Sequence, residues 1–227
     1  MSEAVVLLSG GLDSATTLAY AIDKGYDVIA LTFDYGQRHN REIESAKKIA
    51  KHFKVKEHIV IPLNIGKLLK SSLTQRSISI PERRSEDVAL SAVPSTYVPA
   101  RNIIFLGVAT SVAESRGAER ILIGVNAVDF SGYPDCTPYF IAAFQRTINV
   151  GTLSGREGRA IHLETPLINL SKAQIVRKAV RLKVPLGLTW SCYKGGKKAC
   201  GECDSCRLRL KGFAEAGLED PLEYEVS

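Results

Sequence analysis

The sequence predicts an α/β protein with a doubly wound, mainly parallel five-stranded sheet, followed by a small four-cysteine segment. Three observations support this prediction. Short apolar runs alternate along the chain with patterns of helical period, which is typical of a parallel sheet covered by helices on both faces. A glycine-rich turn joins the first run to the first helical pattern. Four of the five cysteines lie close together between positions 192 and 206.

The first strand and the first helix flank the glycine-rich turn. Residues Ala4 to Leu8 form an apolar run that is too short for a helix, which predicts a buried parallel strand. Apolar side chains then recur at helical spacing from Leu12 to Ile22, and Gly25 stands where a left-handed helix end is expected. This order directs backbone N–H groups and the positive end of a helix dipole towards one point.

The rest of the chain repeats this alternation. Strands are predicted for four further apolar runs, at 27–33, 58–61, 121–125 and 160–164. Helix N-termini are predicted where a capping side chain precedes a helical pattern, at Asn40, Asn102, Thr137 and Ser171. Gln174 completes a capping box with Ser171, and Gly117 ends the helix that starts near Asn102. Glu42 and Glu44, in the first turn after Asn40, favour the dipole of their helix.

Residues 63–99 interrupt the periodic pattern. They hold short helical and polar pieces and a charged run at 81–87. A long stretch of this kind inside a compact domain is more often a lid or a partner surface than a simple connector. We expect it to be the most mobile part of the chain.

The composition fits one folded unit with a small appendage. With 227 residues, 45% of them apolar, the chain can bury a substantial core, and we assign 1–187 to the α/β domain and 188–227 to the cysteine segment packed on it. No apolar run reaches membrane-spanning length and no signal peptide precedes the first strand, so we expect a cytoplasmic protein with reduced cysteines. The net charge of +6 suits polyanions such as ATP and is compatible with RNA, although a solvated basic surface explains it equally well.

The turn from Ser9 to Ser14 reads S-G-G-L-D-S. Glycine at positions 10 and 11 lets the backbone turn sharply and approach an anion, and the two serines add hydroxyl donors. No lysine follows the glycines, which excludes the lysine-containing nucleoside-triphosphate loop, and the spacing does not fit G-x-G-x-x-G. An ordinary strand-to-helix turn is the alternative. The surrounding strand and helix favour a phosphate site.

Other polar residues follow the strands or begin the helices. Residues 34–39 are a candidate wall of the nucleotide site, with His39 more simply interpreted as solvated. Arg101 can pair with a carboxylate or phosphate in forked geometry, or form a surface ion pair. Lys172 opposes the dipole of its helix, so it is either a candidate ATP-binding residue at the pyrophosphate or simply exposed. Cys136 precedes a helix as a thiolate candidate, but we expect a small buried side chain rather than a nucleophile.

The cysteine cluster has the spacing C-x7-C-x2-C-x2-C, at Cys192, Cys200, Cys203 and Cys206. Four thiolates that converge in a reducing compartment predict a metal site rather than disulfides. Zn²⁺ held by four sulfurs has no open position, so we expect one structural zinc ion per chain that folds this segment. An iron–sulfur cluster is the competing assignment, because C-x2-C-x2-C also occurs in ferredoxin-like runs.

Together these motifs resemble a known family. The S-G-G-x-D-S turn is similar to the pyrophosphatase loop of enzymes that cleave ATP between its α and β phosphates and transfer AMP. The stretch V-D-F-S-G-Y-P-D-C at 128–136 and the spaced cysteines extend the resemblance, over essentially the whole chain, to the 7-cyano-7-deazaguanine synthases of queuosine and archaeosine biosynthesis. One departure is Thr137, at a position where the family leads us to expect arginine.

The resemblance implies an adenine nucleotide alpha hydrolase-like fold and an ATP-dependent ligase. This ligase converts 7-carboxy-7-deazaguanine and ammonia into 7-cyano-7-deazaguanine through an acyl-adenylate and an amide, with Mg²⁺ accompanying ATP. Arg101, Asn102 and Asp129 are implied at the substrate, and no residue is assigned as the general base. ATP binding is implied for the residues of the loop and the helix start, which are Leu8, Ser9, Gly10, Gly11, Leu12, Asp13, Ser14, Ala15, Thr16, Thr17 and Leu18.

Two other function classes compete with this interpretation. Another pyrophosphatase-loop enzyme, such as an RNA thiolase or an amide synthetase, would share the loop, although the chain has no evident glutaminase triad. A zinc-stabilised nucleic-acid-binding protein would need aromatic residues interleaved with basic ones near the cysteines, where only Trp190 and Tyr193 qualify. We therefore expect that no nucleic acid is required, and that a homodimer is one option for the assembly.

Overall fold

The computed structural model describes residues 2–82, 93–126 and 132–225. Its strands are β1 (Glu3–Leu7), β2 (Asp27–Asp34), β3 (Glu57–Pro62), β4 (Arg120–Leu122) and β5 (His162–Glu164). The α-helices of these ranges are α1 (Leu12–Asp23), α2 (Arg41–Phe53), α3 (Arg101–Arg116), α4 (Pro138–Gly151), α5 (Leu153–Arg156), α6 (Lys172–Arg181) and α7 (Asp204–Ala216). All five strands are parallel, in the order β3-β2-β1-β4-β5, which confirms the predicted sheet. No helix of the described ranges is long and apolar enough to span a membrane.

Alternate residues of β1 enter two cores on opposite faces of the sheet. Ala4 and Val6 pack with α1, α2 and α6 on one face. Val5 and Leu7 pack with α3 and α4 on the other face. Because successive side chains of a strand point to opposite faces, a strand that is apolar at every position must be covered on both sides. The double winding therefore follows directly from the apolar run of β1.

Three helix boundaries set by local chemistry are confirmed, whereas Asn40 precedes α2 without a side-chain capping hydrogen bond. The Ser171 hydroxyl accepts the Gln174 N–H, and the Gln174 side chain accepts the Ser171 N–H, which completes the capping box of α6. Thr137 caps α4 through its side chain, with Pro138 as the first helical residue. Gly117 ends α3 in the left-handed conformation, with φ of 69°.

Strands β4 and β5 are shorter than the runs predicted at 121–125 and 160–164. After Leu122 the chain passes close to the start of α1. A Cβ atom at Gly124 would lie 3.0 Å from the carbonyl oxygen of Asp13. The end of this apolar run therefore lines a cavity beside α1 instead of extending the strand.

The predicted capping role of Asn102 is wrong. Helix α3 begins two residues earlier than this prediction, after Ala100 in the left-handed conformation. Asn102 lies in the first turn, where its backbone N–H donates to Asp135 Oδ2 at 2.9 Å and its side-chain amide donates to the Asp135 carbonyl oxygen at 3.1 Å. A carboxylate distant in sequence thus satisfies this helix end, which no local capping pattern could indicate.

Buried polar contacts hold residues 188–225, the C-terminal segment, in place. The backbone N–H of Trp190 donates to the Gly10 carbonyl oxygen at 2.9 Å. This bond joins the segment to the turn after β1. Arg209 lies on α7, a helix that the sequence analysis did not predict. Its guanidinium forms a bidentate ion pair with Asp220, at 2.7 and 2.9 Å.

The segment 63–99 lies partly outside the described residues. In its described part, the Ser72 N–H donates to the Ser95 carbonyl oxygen at 2.8 Å. Arg38 donates to the carbonyl oxygen of Gln75 at 2.7 Å and so ties the segment to the chain that follows β2. The expected lid or partner function and the expected mobility stay predictions.

The buried ion pair predicts a large effect of Asp220→Asn. Both side chains of the Arg209–Asp220 pair are 2% exposed. The variant leaves the Arg209 charge buried without a counter-ion, which should cost about 3 kcal/mol and lower Tm by about 6–12 °C in thermal unfolding. The control is Glu157→Gln, in a pair whose side chains are 71% and 46% exposed, which should shift Tm by less than about 2 °C. Equal Tm values for the two variants would contradict this prediction.

Candidate active site

A cavity of about 290 Å³ lies at the carboxyl edge of the sheet, between β1 and β4. Helix α1, which follows β1, packs on one face of the sheet, whereas α4, the next helix after β4, packs on the other. The strand order therefore reverses at this point, and open α/β sheets bind their ligands at such a position. Residues from the loop after β1, from α2 and from the C-terminal segment form the walls.

The two glycines of the loop have different structural roles. Gly10 has a φ of 91°, and a Cβ atom there would lie 2.2 Å from the carbonyl oxygen of Glu42. Gly11 has an ordinary φ of −79°, and the nearest atom to a Cβ there would be Ser9 Oγ, at 3.5 Å. Gly10 is thus required by the fold. Gly11 lines the cavity and leaves space for a ligand to approach the backbone.

The N-terminus of α1 faces this cavity without a capping side chain. Its first N–H groups have no partner within the helix, and the dipole adds partial positive charge there. The Ser14 hydroxyl donates to the Gly11 carbonyl oxygen at 3.1 Å and accepts the Ser9 N–H at 3.2 Å. These bonds fix the loop around an arrangement that suits an anion.

Asp13 and Lys172 form an ion pair at one side of the loop. Lys172 Nζ lies 2.7 Å from Asp13 Oδ2, which also accepts the Asn126 side-chain amide at 2.9 Å. Asp13 Oδ1 is buried and has no hydrogen-bond partner among the residues that the structure describes. A Cβ atom at Gly212 of α7 would lie 2.5 Å from Lys172 Cγ, so this glycine lets α7 pack directly on the lysine stem.

Arg101 and aromatic side chains form another wall. The Arg101 guanidinium lies 5.8 Å from the Tyr35 ring centre and 6.0 Å from that of Phe105, and donates to the Tyr35 hydroxyl at 3.4 Å. Burial raises the pKa of Tyr35, although Arg101 opposes this effect, so the tyrosine stays uncharged. Cys136 is buried and accepts the Asn102 side-chain amide at 3.2 Å. This wall therefore offers one fixed cation beside neutral hydrogen-bonding groups.

Most of the predicted site residues surround this one cavity. Asp129 lies outside the described residues. Gly10 and residues 15–18 lie behind the wall, and residues 15–18 are fully buried. The predicted residues that line the cavity are Leu8, Ser9, Gly11, Leu12, Asp13, Ser14, Arg101, Asn102 and Lys172.

Sequence reasoning missed several cavity residues. His39 is not simply solvated, because a Cβ atom at Gly195 would lie 2.3 Å from its ring and its Nδ1 is buried. Glu42, expected only to favour a helix dipole, lines the cavity from α2. Trp190 and Arg209 line it from the C-terminal segment. No local pattern could indicate these positions, since each depends on contacts distant in sequence.

The four cysteines converge as predicted. The sulfur atoms of Cys192, Cys200, Cys203 and Cys206 all lie within 4.8 Å of one another, and all four residues are buried. The backbone N–H of Cys200 donates to Cys192 Sγ and that of Cys203 donates to Cys200 Sγ, both at 3.4 Å. These bonds stabilise negative sulfur. The cluster is therefore a candidate metal site.

The fold and the loop together define a nucleotide-binding α/β enzyme of the ATP-pyrophosphatase class. The NMN synthetase from Francisella tularensis has a similar fold, with a TM-score of 0.52 over 96% of this chain and 78% of that chain, at 16% identity. This likeness concerns the fold alone.

Sequence comparisons identify the family. Residues 3–217 match the family described as queuosine biosynthesis protein QueC. The 7-cyano-7-deazaguanine synthase of Acetivibrio thermocellus is 57% identical over 99% of this chain and 98% of that protein. The synthase of Stutzerimonas stutzeri is 55% identical over 98% of each, and that of Thermoplasma acidophilum is 54% identical over 98% of this chain and 92% of the relative. The chain belongs to the 7-cyano-7-deazaguanine synthases, the ATP-dependent ligases of queuosine biosynthesis.

The different roles of the two glycines can be tested with a matched pair of variants. Gly10→Ala should lower the stability by about 3 kcal/mol or more, because the methyl group overlaps the α2 backbone at a positive φ. Gly11→Ala should have a Tm within about 2 °C of that of the unchanged protein. Its rate of pyrophosphate release should nevertheless fall by about 100-fold, because the methyl group occupies the space of the anion. Thermal unfolding and pyrophosphate assays measure both effects. Full activity of Gly11→Ala would show that the anion does not approach the backbone at Gly11.

Proposed function

We propose that this cavity holds ATP and 7-carboxy-7-deazaguanine side by side and transfers AMP to the acid. The observation that carries the proposal is that the uncapped N-terminus of α1, the Lys172 ammonium and the Arg101 guanidinium meet at one cavity. Such groups suit a triphosphate and a carboxylate that must approach each other. In this proposal ATP contacts Lys172 and the cavity-lining part of 8–14, whereas the buried residues 15–18 hold the start of α1 in place behind the wall.

The first step activates the acid, because a carboxylate does not react with ammonia. A carboxylate oxygen attacks the α-phosphorus of ATP, the bond to the β-phosphate breaks, and pyrophosphate leaves with the negative charge. The N–H groups of the loop stabilise this charge. Lys172, which borders the loop through Asp13, neutralises part of it.

The second step forms the nitrile through an amide. Ammonia displaces AMP from the acyl-adenylate, and a further ATP adenylates the oxygen of the resulting amide. The nitrogen then gives up both of its protons, the C–O bond to AMP breaks with its electron pair leaving on AMP, and the carbon–nitrogen triple bond forms. Since both activations join a substrate oxygen to the α-phosphorus, one loop serves both.

Two of the proposed substrate residues, Arg101 and Asn102, line the cavity. Arg101 pairs with the carboxylate of the acid. Asn102 is already bonded to Asp135 and Cys136, so it supports this wall and does not replace Arg101 as a partner of the substrate. Asp129 is proposed to accept hydrogen bonds from the guanine-like edge.

Mg²⁺ is expected with ATP, and the donor set at Asp13 suits it. Lys172 and Asn126 occupy Asp13 Oδ2, whereas Oδ1 is buried without a partner in the described part of the chain. Carboxylate oxygens are preferred ligands of Mg²⁺, which also binds phosphate oxygens and offsets their charge. We therefore propose Asp13 as the protein ligand.

The cysteine cluster suits a single zinc ion. Zn–S bonds of about 2.3 Å in a tetrahedron place sulfur atoms about 3.8 Å apart. The sulfurs of Cys200 and Cys206 are 3.9 Å apart, and all four lie within 4.8 Å of one another. Sulfur atoms this close favour one metal ion over an iron–sulfur cluster between them. Four thiolates leave no open position, so the proposed zinc is structural.

The proposal also covers the cellular location, the partners and the assembly of the protein. Free thiolates and ATP suit a cytoplasmic location, and the reaction needs no nucleic acid. The division into 1–187 and 188–227, and a homodimeric assembly, stay predictions.

The proposed reaction is tested by the mass of its product. Protein incubated with 7-carboxy-7-deazaguanine, ATP, Mg²⁺ and ammonium should release pyrophosphate and AMP and form the nitrile. Without ammonium, only the acyl-adenylate should form. Formation of ADP and orthophosphate, or unchanged acid in the mass spectrum, would refute the proposal.

The zinc proposal is tested by metal analysis. The purified protein should contain about one zinc ion per chain and be colourless. Cys203→Ser should lose most of the zinc and lower Tm by about 10 °C or more, because metal binding folds the segment. Cys136→Ser removes the cysteine that lies outside the cluster and should keep the zinc. A brown protein that contains iron and sulfide would overturn the zinc assignment.

A further inference from the structure

Glu42 is a carboxylate at the cavity that the proposed reaction has not used. It lies in the first turn of α2, and its side chain lines the same cavity as Ser9 and Arg101. Within 2–82, 93–126 and 132–225, no hydrogen-bond donor or ion-pair partner holds its carboxylate oxygens. A carboxylate withdrawn from bulk water without a donor gains stability when a cation or donor joins it.

The position of Glu42 is fixed by the loop itself. Its backbone carbonyl oxygen packs so closely on Gly10 that no side chain fits between them. The first turn of α2 therefore keeps one place relative to the phosphate loop. The backbone from which the Glu42 side chain reaches the cavity is therefore held in place.

The reaction requires a cation that none of the assigned groups binds. Ammonia in neutral water is almost entirely ammonium, which has no lone pair and cannot attack carbon. The nucleophile must therefore enter as a cation and lose a proton close to the acyl carbon. Asp13 is paired with Lys172 and Asn126, so it is a poor candidate for this task.

We propose that the Glu42 carboxylate binds ammonium and accepts one of its protons, so that ammonia is released beside the acyl-adenylate. The inference rests on the proposed function and assigns its nucleophile a site. An N–H bond of ammonium breaks and an O–H bond forms on Glu42. The freed lone pair then forms the C–N bond, the C–O bond to AMP breaks, and AMP leaves with the electron pair. The amide nitrogen loses its extra proton to solvent.

The charged groups around Glu42 are consistent with this role. Burial raises the pKa of its carboxyl, and the positive charges of His39 and Arg101 partly counteract this effect. A carboxyl with a raised pKa is a stronger proton acceptor at neutral pH. Tyr35, whose own pKa burial raises, stays uncharged and does not compete for the cation.

The test compares two glutamates of the same helical turn. Glu42→Gln keeps the shape and removes the charge, so KM for ammonium should rise by about 10-fold or more while KM for ATP stays within about two-fold. The control, Glu44→Gln, changes an exposed residue that pairs with Lys47 and should alter neither constant. Glu42→Asp, which keeps the charge, should recover part of the loss.

Thermal unfolding separates this role from a structural one. Because the Glu42 carboxylate lacks a partner in the described ranges, Glu42→Gln should unfold at the same temperature as the unchanged protein or at a higher one. A clear fall in Tm, with parallel losses in every kinetic constant, would overturn the proposal.

Hydroxylamine distinguishes an effect of the variant on the ammonia nucleophile from an effect on the adenylation of the acid. It is largely uncharged at neutral pH and converts acyl-adenylates into hydroxamates without prior loss of a proton. Glu42→Gln should therefore form hydroxamate at nearly the unchanged rate. Equal losses of hydroxamate and of ammonium-dependent product, or an unchanged KM for ammonium, would overturn the proposal. Unmodified protein that releases no pyrophosphate with the acid would instead refute the proposed function on which it rests.

Discussion

The site depends on the close packing of backbone around Gly10. A Cβ atom there would lie 2.2 Å from the carbonyl oxygen of Glu42 and 2.8 Å from the backbone nitrogen of Ala46. The carbonyl oxygen of Gly10 accepts the Trp190 N–H at 2.9 Å. The phosphate loop, α2 and the C-terminal segment therefore meet at one residue without a side chain. Their relative positions, and with them the shape of the cavity, follow from this single contact region.

The close packing of Gly212 against Lys172, together with the ion pair to Asp13, explains how a lysine is tolerated in the first turn of α6. A cation in the first turn of α6 opposes the helix dipole, at a cost of a few tenths of a kcal/mol to about 1 kcal/mol. The ion pair with Asp13 offsets this cost, and α7 packs on the lysine stem at Gly212. The side-chain ammonium of Lys172 therefore lies beside the glycine-rich loop from Ser9 to Ser14. Two elements from opposite ends of the chain thus fix one charge.

The parts of the structure that local chemistry determines were predictable from the sequence. The apolar runs of β1 and β2 predicted buried strands, the capping box of Ser171 predicted the start of α6, and the cysteine spacing predicted the cluster. The role of Asn102 was not predictable, because its partner Asp135 is far away along the chain. Nor was the packing of His39 against Gly195.

Helix α7 shows why a functional helix can escape detection. Its buried positions include Arg209 and Gly212, whereas Leu208 and Leu210 are 39% and 37% exposed. Cys206 and Phe213 are also buried, so apolar residues mark only part of the buried face. Arg209 is buried because Asp220 supplies a counter-ion, and Gly212 because Lys172 needs the space. A periodicity analysis measures apolar burial and does not detect a face built from a charge and a glycine.

The C-terminal segment has a small core, which gives the candidate metal site a structural role. Four of the six fully buried members of this core are cysteines, and the other two are Trp190 and Ala199. This core has little apolar area, so metal–thiolate bonds would add free energy to the other contacts that order the segment. Yet the same segment places Trp190, Tyr193 and Leu208 against the cavity. The proposed zinc, with four sulfur ligands, would have no position for substrate, so it would contribute to the reaction through the shape of this wall.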